Sequence, residues 1–165
     1  NVTKLARYLI DFCNTHKKKL LILGRAQVGS KDGKLEKIFY ESNLKDKSFK
    51  LSFFDKSKFE NIQNLLQSDL IIGTHSTLLR ESFGLKKKIL VCDWNQQNVD
   101  EDIIFPGEGI LKLSSDNYLD FEKRVLELLN LDYSTFISKI KNLNYIYNSN
   151  SDSLDKIRKE LCLNN

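Results

Sequence analysis

Apolar positions along the chain switch between helical spacing and short unbroken runs. Val2, Leu5, Leu9, Ile10, Phe12 and Cys13 recur at helical spacing and predict a helix over Val2 to His16. The run Leu20-Leu21-Ile22-Leu23, closed by Gly24, predicts a buried strand. Gln27 to Gly33 has the glycines of a loop, and Leu35, Ile38 and Phe39 mark a helix reaching about Leu44. Phe49 to Phe54 has strand character. Phe59, Ile62, Leu65 and Leu66 mark a helix ending near Ser68. Strands follow at Leu70 to Gly73, Ile89 to Cys92 and Gly109 to Leu113. The pattern then turns helical over Tyr118 to Asn130, Tyr133 to about Tyr147 and Ser153 to Leu163, with a polar break at Ser149 to Ser153.

Strands alternating with helices predict an α/β fold. Right-handed crossovers make it a Rossmann-like parallel sheet of about five strands, with helices on both faces and further helices at the C-terminus. Ligands in such sheets bind beyond the carboxyl ends of the strands. Three segments qualify: the loop after Gly24, the loop after Gly73, and Asp93 to Glu108, which carries the sole proline, Pro106. Within the last, Asp93 to Asn98 offers amides and an indole to a sugar or acceptor, or is an ordinary surface loop.

With 165 residues the chain suits one domain, residues 1–165. It contains no methionine, so Asn1 is not a natural start and a processed or excised piece is expected. No apolar run is long enough to span a bilayer, and no secretory leader opens the chain. Cys13, Cys92 and Cys162 are widely spaced in apolar or helical contexts, which fits buried free thiols in a reducing compartment. The net charge of +4 gathers in Lys17 to Lys19 and Lys86 to Lys88. Each cluster precedes a strand without aromatic or Gly-Arg interleaving, so solvated loop ends are favoured over a nucleic-acid surface. His16 and His75 lie in separate segments, and no metal site is expected.

The stretch Asp69 to Val91 carries the candidate chemistry. A strand ends at Gly73, Thr74-His75-Ser76-Thr77 supplies small polar residues, and a helix begins. A helix start offers N–H groups and the positive end of a dipole, which suits phosphate. Glu81 shares a helix face with Thr77 about 6 Å along the axis. It stands four residues after Thr77 and five after Ser76, not the three a capping box needs. A nucleoside diphosphate fits this spacing, with phosphates on Ser76 and Thr77 and ribose hydroxyls on Glu81. A plain helix start with a solvated Glu81 fits the spacing too.

Ser68 to Ile72 and Thr77 to Leu90 resemble a recurrent pair in the C-terminal, donor-binding half of GT-B fold glycosyltransferases. In those domains an Ala-Asp-Leu-Val-Val strand precedes a Thr-Leu-Leu-Glu-Ala helix and a further strand. Gly107 to Leu113 and Tyr118 to Leu129 are similar to the turn, strand and helix that follow, so the resemblance spans Lys19 to Leu129. Thr74 to Thr77 is especially like the bacterial surface or capsular polysaccharide type.

The resemblance implies that the chain is half of such an enzyme, with the N-terminal acceptor domain absent. Its donor would be a nucleotide-sugar and its acceptor a growing or lipid-linked glycan, with no cofactor and no catalytic metal. Nucleotide-binding residues would be Gly73, Thr74, His75, Ser76, Thr77 and Glu81. Glu81 falls on the family's ribose-binding glutamate. Arg25 would be a phosphate clamp replacing a family lysine, although an exposed arginine at a strand end explains it equally well. A cytoplasmic location, or a peripheral one at the inner membrane face, would follow.

The chain departs from the pattern in two further ways: the family's earlier strand does not precede Val2, and Lys88 replaces the proline before a strand. The general base would lie in the absent domain, so no catalytic residue is assigned. A UDP-sugar 2-epimerase-like half and a non-catalytic nucleotide- or partner-binding module are the alternative readings.

Overall fold

The structure, a computed structural model, describes residues 2–44, 48–55, 60–74, 76–94 and 109–140. Elements follow in the order α1 (Val2–Thr15), β1 (Leu20–Gln27), α2 (Lys31–Asn43), β2 (Phe49–Phe54), α3 (Glu60–Gln67) and β3 (Ile71–Gly73). Then come α4 (Thr77–Gly84), β4 (Ile89–Cys92), β5 (Lys112–Leu113), α5 (Tyr118–Asn130) and α6 (Tyr133–Ser138). The helix expected over Ser153 to Leu163, the end of the one expected to Tyr147, and Cys162 lie outside the described residues.

Among the described residues all strand pairings are parallel, as expected of a mixed α/β fold with helices on both sides. The expected single sheet is, however, divided. β1 pairs with β2, and β3, β4 and β5 form a separate sheet in that order. β4 sits between two strands and is buried at every position. The larger core joins β4 to Leu79 and Phe83 of α4, Phe121, Val125 and Leu128 of α5, and Phe136 of α6. A smaller core holds Ala6, Ile10, Tyr40 and Leu44.

Three local outcomes differ from the expectation. First, β1 continues past Gly24 to Gln27, so Arg25 stands in the strand rather than in a loop. Second, α2 begins at Lys31 because Ser30 caps it, its Oγ accepting from Gly33 N–H at 3.0 Å. The helix then turns Gly33, Glu36 and Tyr40 toward the protein. A Cβ on Gly33 would lie 2.6 Å from the Gln27 carbonyl oxygen, so glycine permits this close approach. Leu35, Ile38 and Phe39, which mark the helix in sequence, are exposed.

Third, β5 is two residues long. Ile110 and Leu111 are buried in a turn, with Lys112 N–H bonded to Gly109 O. Arg124 Nη1 secures the turn by donating to the carbonyls of Gly109 (2.8 Å), Ile110 (3.1 Å) and Lys112 (3.1 Å).

The lysine clusters are also more than solvated loop ends. Lys17 and Lys86 take positive φ, 52° and 58°, just after α1 and α4. Lys18 N–H and Lys87 N–H reach back to Cys13 O and Ser82 O, the bonds of Schellman helix ends. Lys87 Nζ donates to the Leu66 and Ser68 carbonyls at the end of α3. Lys88 Nζ donates to Leu128, Leu129 and Leu131 at the end of α5.

Candidate functional site

The β3–α4 junction is built by two neighbouring constraints. β3 is locked to β4 through the pairs Ile71–Ile89, Ile72–Leu90 and Gly73–Val91. Leu79, in the first turn of α4, packs where a Cβ on Gly73 would meet it at 3.3 Å. Glycine thus brings the helix start close against the strand end.

Ser76 is the N-cap, in extended conformation (φ −155°, ψ 132°). Its Oγ accepts from Leu78 N–H at 3.2 Å, and its carbonyl accepts from Leu79 N–H at 3.1 Å. The Ser76 hydroxyl keeps its own proton to donate, and the Thr77 amide, as the first of the helix, points out along the axis. Thr74 is half-buried, whereas Ser76 and Thr77 are exposed. His75 lies outside the described residues.

Glu81 is exposed one turn along, and its carboxylate makes no hydrogen bond or ion pair among the described residues. The opposite face of α4 buries Leu79, Ser82 and Phe83, with Ser82 Oγ bonded to Leu78 O at 2.6 Å. α2 and α5 each carry an aspartate in the first turn, Asp32 and Asp120, while α4 carries no acidic residue there. The positive end of α4 is therefore not offset by a carboxylate of its own first turn.

Arg25 is not brought to this junction by any hydrogen bond or ion pair among the described residues. It is exposed on β1, and its backbone N–H donates to both Glu36 carboxylate oxygens, at 3.1 and 3.0 Å. Ala26 N–H donates to Glu36 Oε2 at 3.0 Å. The amides at the end of β1 thus already hold an internal anion. The Arg25 charge acts on Tyr40, whose phenol is raised by burial and lowered by the guanidinium.

Asp93 and Trp94, seen in sequence as part of a loop, are structural at their first contacts. Asp93 is 7% exposed, and its Oδ2 pairs with Lys112 Nζ at 2.9 Å. Its Oδ1 is buried without a partner among the described residues. Trp94 stacks at a tilt on Tyr8, 5.4 Å between centroids, and Lys4 Nζ lies 5.6 Å from its ring. Asn95 to Asn98 lie outside the described residues. The position of Asp93 directly after the Ile89–Cys92 run was the available signal of a carboxylate at a strand's carboxyl end.

A cavity of about 490 Å3 lies elsewhere, between the β1–α2 loop, α2 and β2. Val28, Phe49, Leu51 and Phe53 supply its apolar walls, with Lys34 and Lys37 beside them. No residue of the β3–α4 junction lines it.

No family model, curated protein or solved structure matches the chain. The β3–α4 junction combines a capped helix start, a hydroxyl donor and an exposed carboxylate one turn away. That set can hold an anion at one end and a vicinal diol at the other.

Proposed function

We propose that the chain is the donor-nucleotide-binding part of a glycosyltransferase that moves a sugar from a nucleotide-sugar to a glycan acceptor. The diphosphate sits on the Thr77 amide and the Ser76 hydroxyl at the start of α4. Glu81 accepts from the ribose hydroxyls. Charge on the departing diphosphate is met by the helix end and its amides.

One observation supports this reading above the others. Glu81 is an exposed carboxylate without a partner among the described residues, one turn beyond a helix start that has no acidic residue in its first turn. A general base would come from outside these residues.

Titration calorimetry with UDP, GDP, CDP and CMP tests the proposal. The expected result is weak but selective binding of one diphosphate. Glu81→Ala weakens that binding by about 1–3 kcal/mol, the cost of removing a charged acceptor. Binding that Glu81→Ala leaves unchanged removes Glu81 from the site. Absence of binding for every nucleotide in the intact enzyme overturns the reading.

A further inference from the structure

Helix α2 turns an apolar stripe away from the protein. Leu35, Ile38 and Phe39, at i, i+3 and i+4, are 56%, 57% and 40% exposed, and none belongs to either core. The inner face of α2 is already committed. Gly33 lies against the Gln27 carbonyl, Glu36 holds the Arg25 and Ala26 amides, and Tyr40 is buried in the smaller core. The helix cannot roll to bury the stripe without breaking all three contacts. Single exposed apolar residues are ordinary, but three along one helix face form a contiguous patch of the kind that marks an interface.

The charges beside the stripe are ordered. Lys34, Lys37 and Glu41 lie along one side of it, where all three line the cavity beside β2. Lys34 and Glu41 are two helical turns apart, so they flank the same edge. Lys37 Nζ and Glu41 Oε1 stand 3.8 Å apart and both side chains are exposed, a loose pair that leaves the carboxylate able to accept a second cation. The Lys34 ammonium has no partner among the described residues.

We infer that α2 is the contact face for a second copy of this chain, with the two helices antiparallel across a two-fold axis. Such a contact sets residue i against j and j against i. Leu35 then meets the partner's Ile38, Ile38 meets the partner's Leu35, and the two Phe39 rings close one flank. Side chains tilt toward the N-terminus of their own helix, which carries Lys34 and the partner's Glu41 toward each other. Two Lys34–Glu41 pairs therefore close the other flank. A parallel pairing would set Lys34 against the partner's Phe39 and lose both. The complementary charges belong to one helix, so the surface that best matches this stripe is the stripe itself. Three apolar side chains per copy bury well under the roughly 1,600 Å² of a standard interface, so the dimer is weak. The inference is independent of the nucleotide reading, because it rests on α2 alone.

Sedimentation equilibrium of the chain across the micromolar-to-millimolar range tests it. The variants are Lys34→Glu, Glu41→Lys, both together, and Ile38→Asp. All three sites are exposed, and circular dichroism checks that each variant is folded. The unaltered chain shows a monomer–dimer equilibrium. Each single reversal raises its dissociation constant at least about fivefold, because like charges then meet at both ends of the contact. The double reversal restores it to within about twofold. Ile38→Asp abolishes the dimer, since two carboxylates would be buried at its centre. Four results overturn the inference: a monomer at every concentration, a dimer that Ile38→Asp leaves intact, single reversals without effect, or a double reversal as weak as the singles.

Discussion

Replacing Lys88 by methionine tests whether a lysine run in this chain is structural. Lys88 Nζ donates to three carbonyls at the end of α5, at 2.7 Å (Leu128), 3.2 Å (Leu129) and 2.7 Å (Leu131). Methionine keeps the unbranched stem and its packing but removes every donor. A hydrogen bond to a charged group contributes about 1.5–3 kcal/mol, and three that share one ammonium do not add. A cation at a helix C-terminus adds about 0.3–1 kcal/mol. Two effects work against this. Lys88 is only half-buried, so water replaces part of what is lost, and the ammonium is itself held at a desolvation cost. The net expectation is a loss of about 1–2 kcal/mol, or roughly 2–8 °C in Tm for a chain of this size.

The pH dependence gives a second readout. Burial lowers the Lys88 pKa below 10.5, with Asp69 and Asp132 pulling it back up. A lowered folded pKa for a base means that the unfolded chain binds the extra proton. The cost of holding the charge is therefore full at neutral pH and is relieved as pH climbs toward 10.5. Wild type should gain on Lys88→Met over that window. Denaturant melts at pH 7 and 10 measure both effects. A Lys88→Met protein within about 0.3 kcal/mol of wild type would refute the capping role.

Four further outcomes follow from the geometry. Lys86→Gly should stabilise by about 0.5–1 kcal/mol in urea melts, because glycine removes the left-handed strain at φ 58° while adding some unfolded-state entropy. Gly33→Ala should lose about 1–2 kcal/mol despite a better helix propensity, since its Cβ would stand 2.6 Å from the Gln27 carbonyl oxygen. Asp132 is held down to about 2, first by the Ser134 hydroxyl and then by Thr135, so its stabilisation is present above pH 3.8 and lost as pH falls from there toward 2. Asp132→Asn should therefore flatten the acid limb of the stability curve. Burial pushes the Cys92 thiol up to about 12 and raises Cys13 too, so pulsed thiol labelling at pH 8 should modify these two only in molecules that have opened.

The strand cores were legible because their apolar runs are contiguous. Ile89 to Cys92 and Phe49 to Phe54 begin and end where the pattern places them. Boundaries failed where a side chain outside the pattern decided them. Glu36 binds the Arg25 and Ala26 amides at the end of β1, ten or eleven residues from where it is read. Ser30 moves the start of α2 ahead of the first apolar marker. Ile110 and Leu111 imitate a strand because burial in an Arg124-secured turn demands apolar residues as much as a sheet does. The exposed triplet Leu35, Ile38 and Phe39 shows the converse. Helical spacing revealed the helix but not the face it buries, which glycine and a carboxylate selected. At the candidate site, Ser76 caps α4 and Glu81 lies one turn along it, while Arg25 lies within the longer β1 and not in the loop expected after Gly24.

Local electrostatics decides among the possible anion sites. Open α/β sheets hold ligands outside the carboxyl ends of their strands. The β3–α4 junction lies at such an end. An anion arriving instead at the end of β1 would have to displace Glu36 from the Arg25 and Ala26 amides. At α2 it would face Asp32 in the first turn. At α4 it meets a helix end with no such carboxylate and the Ser76 hydroxyl, with Glu81 one turn away. Of these three ends, the start of α4 is therefore the one best suited to an anion.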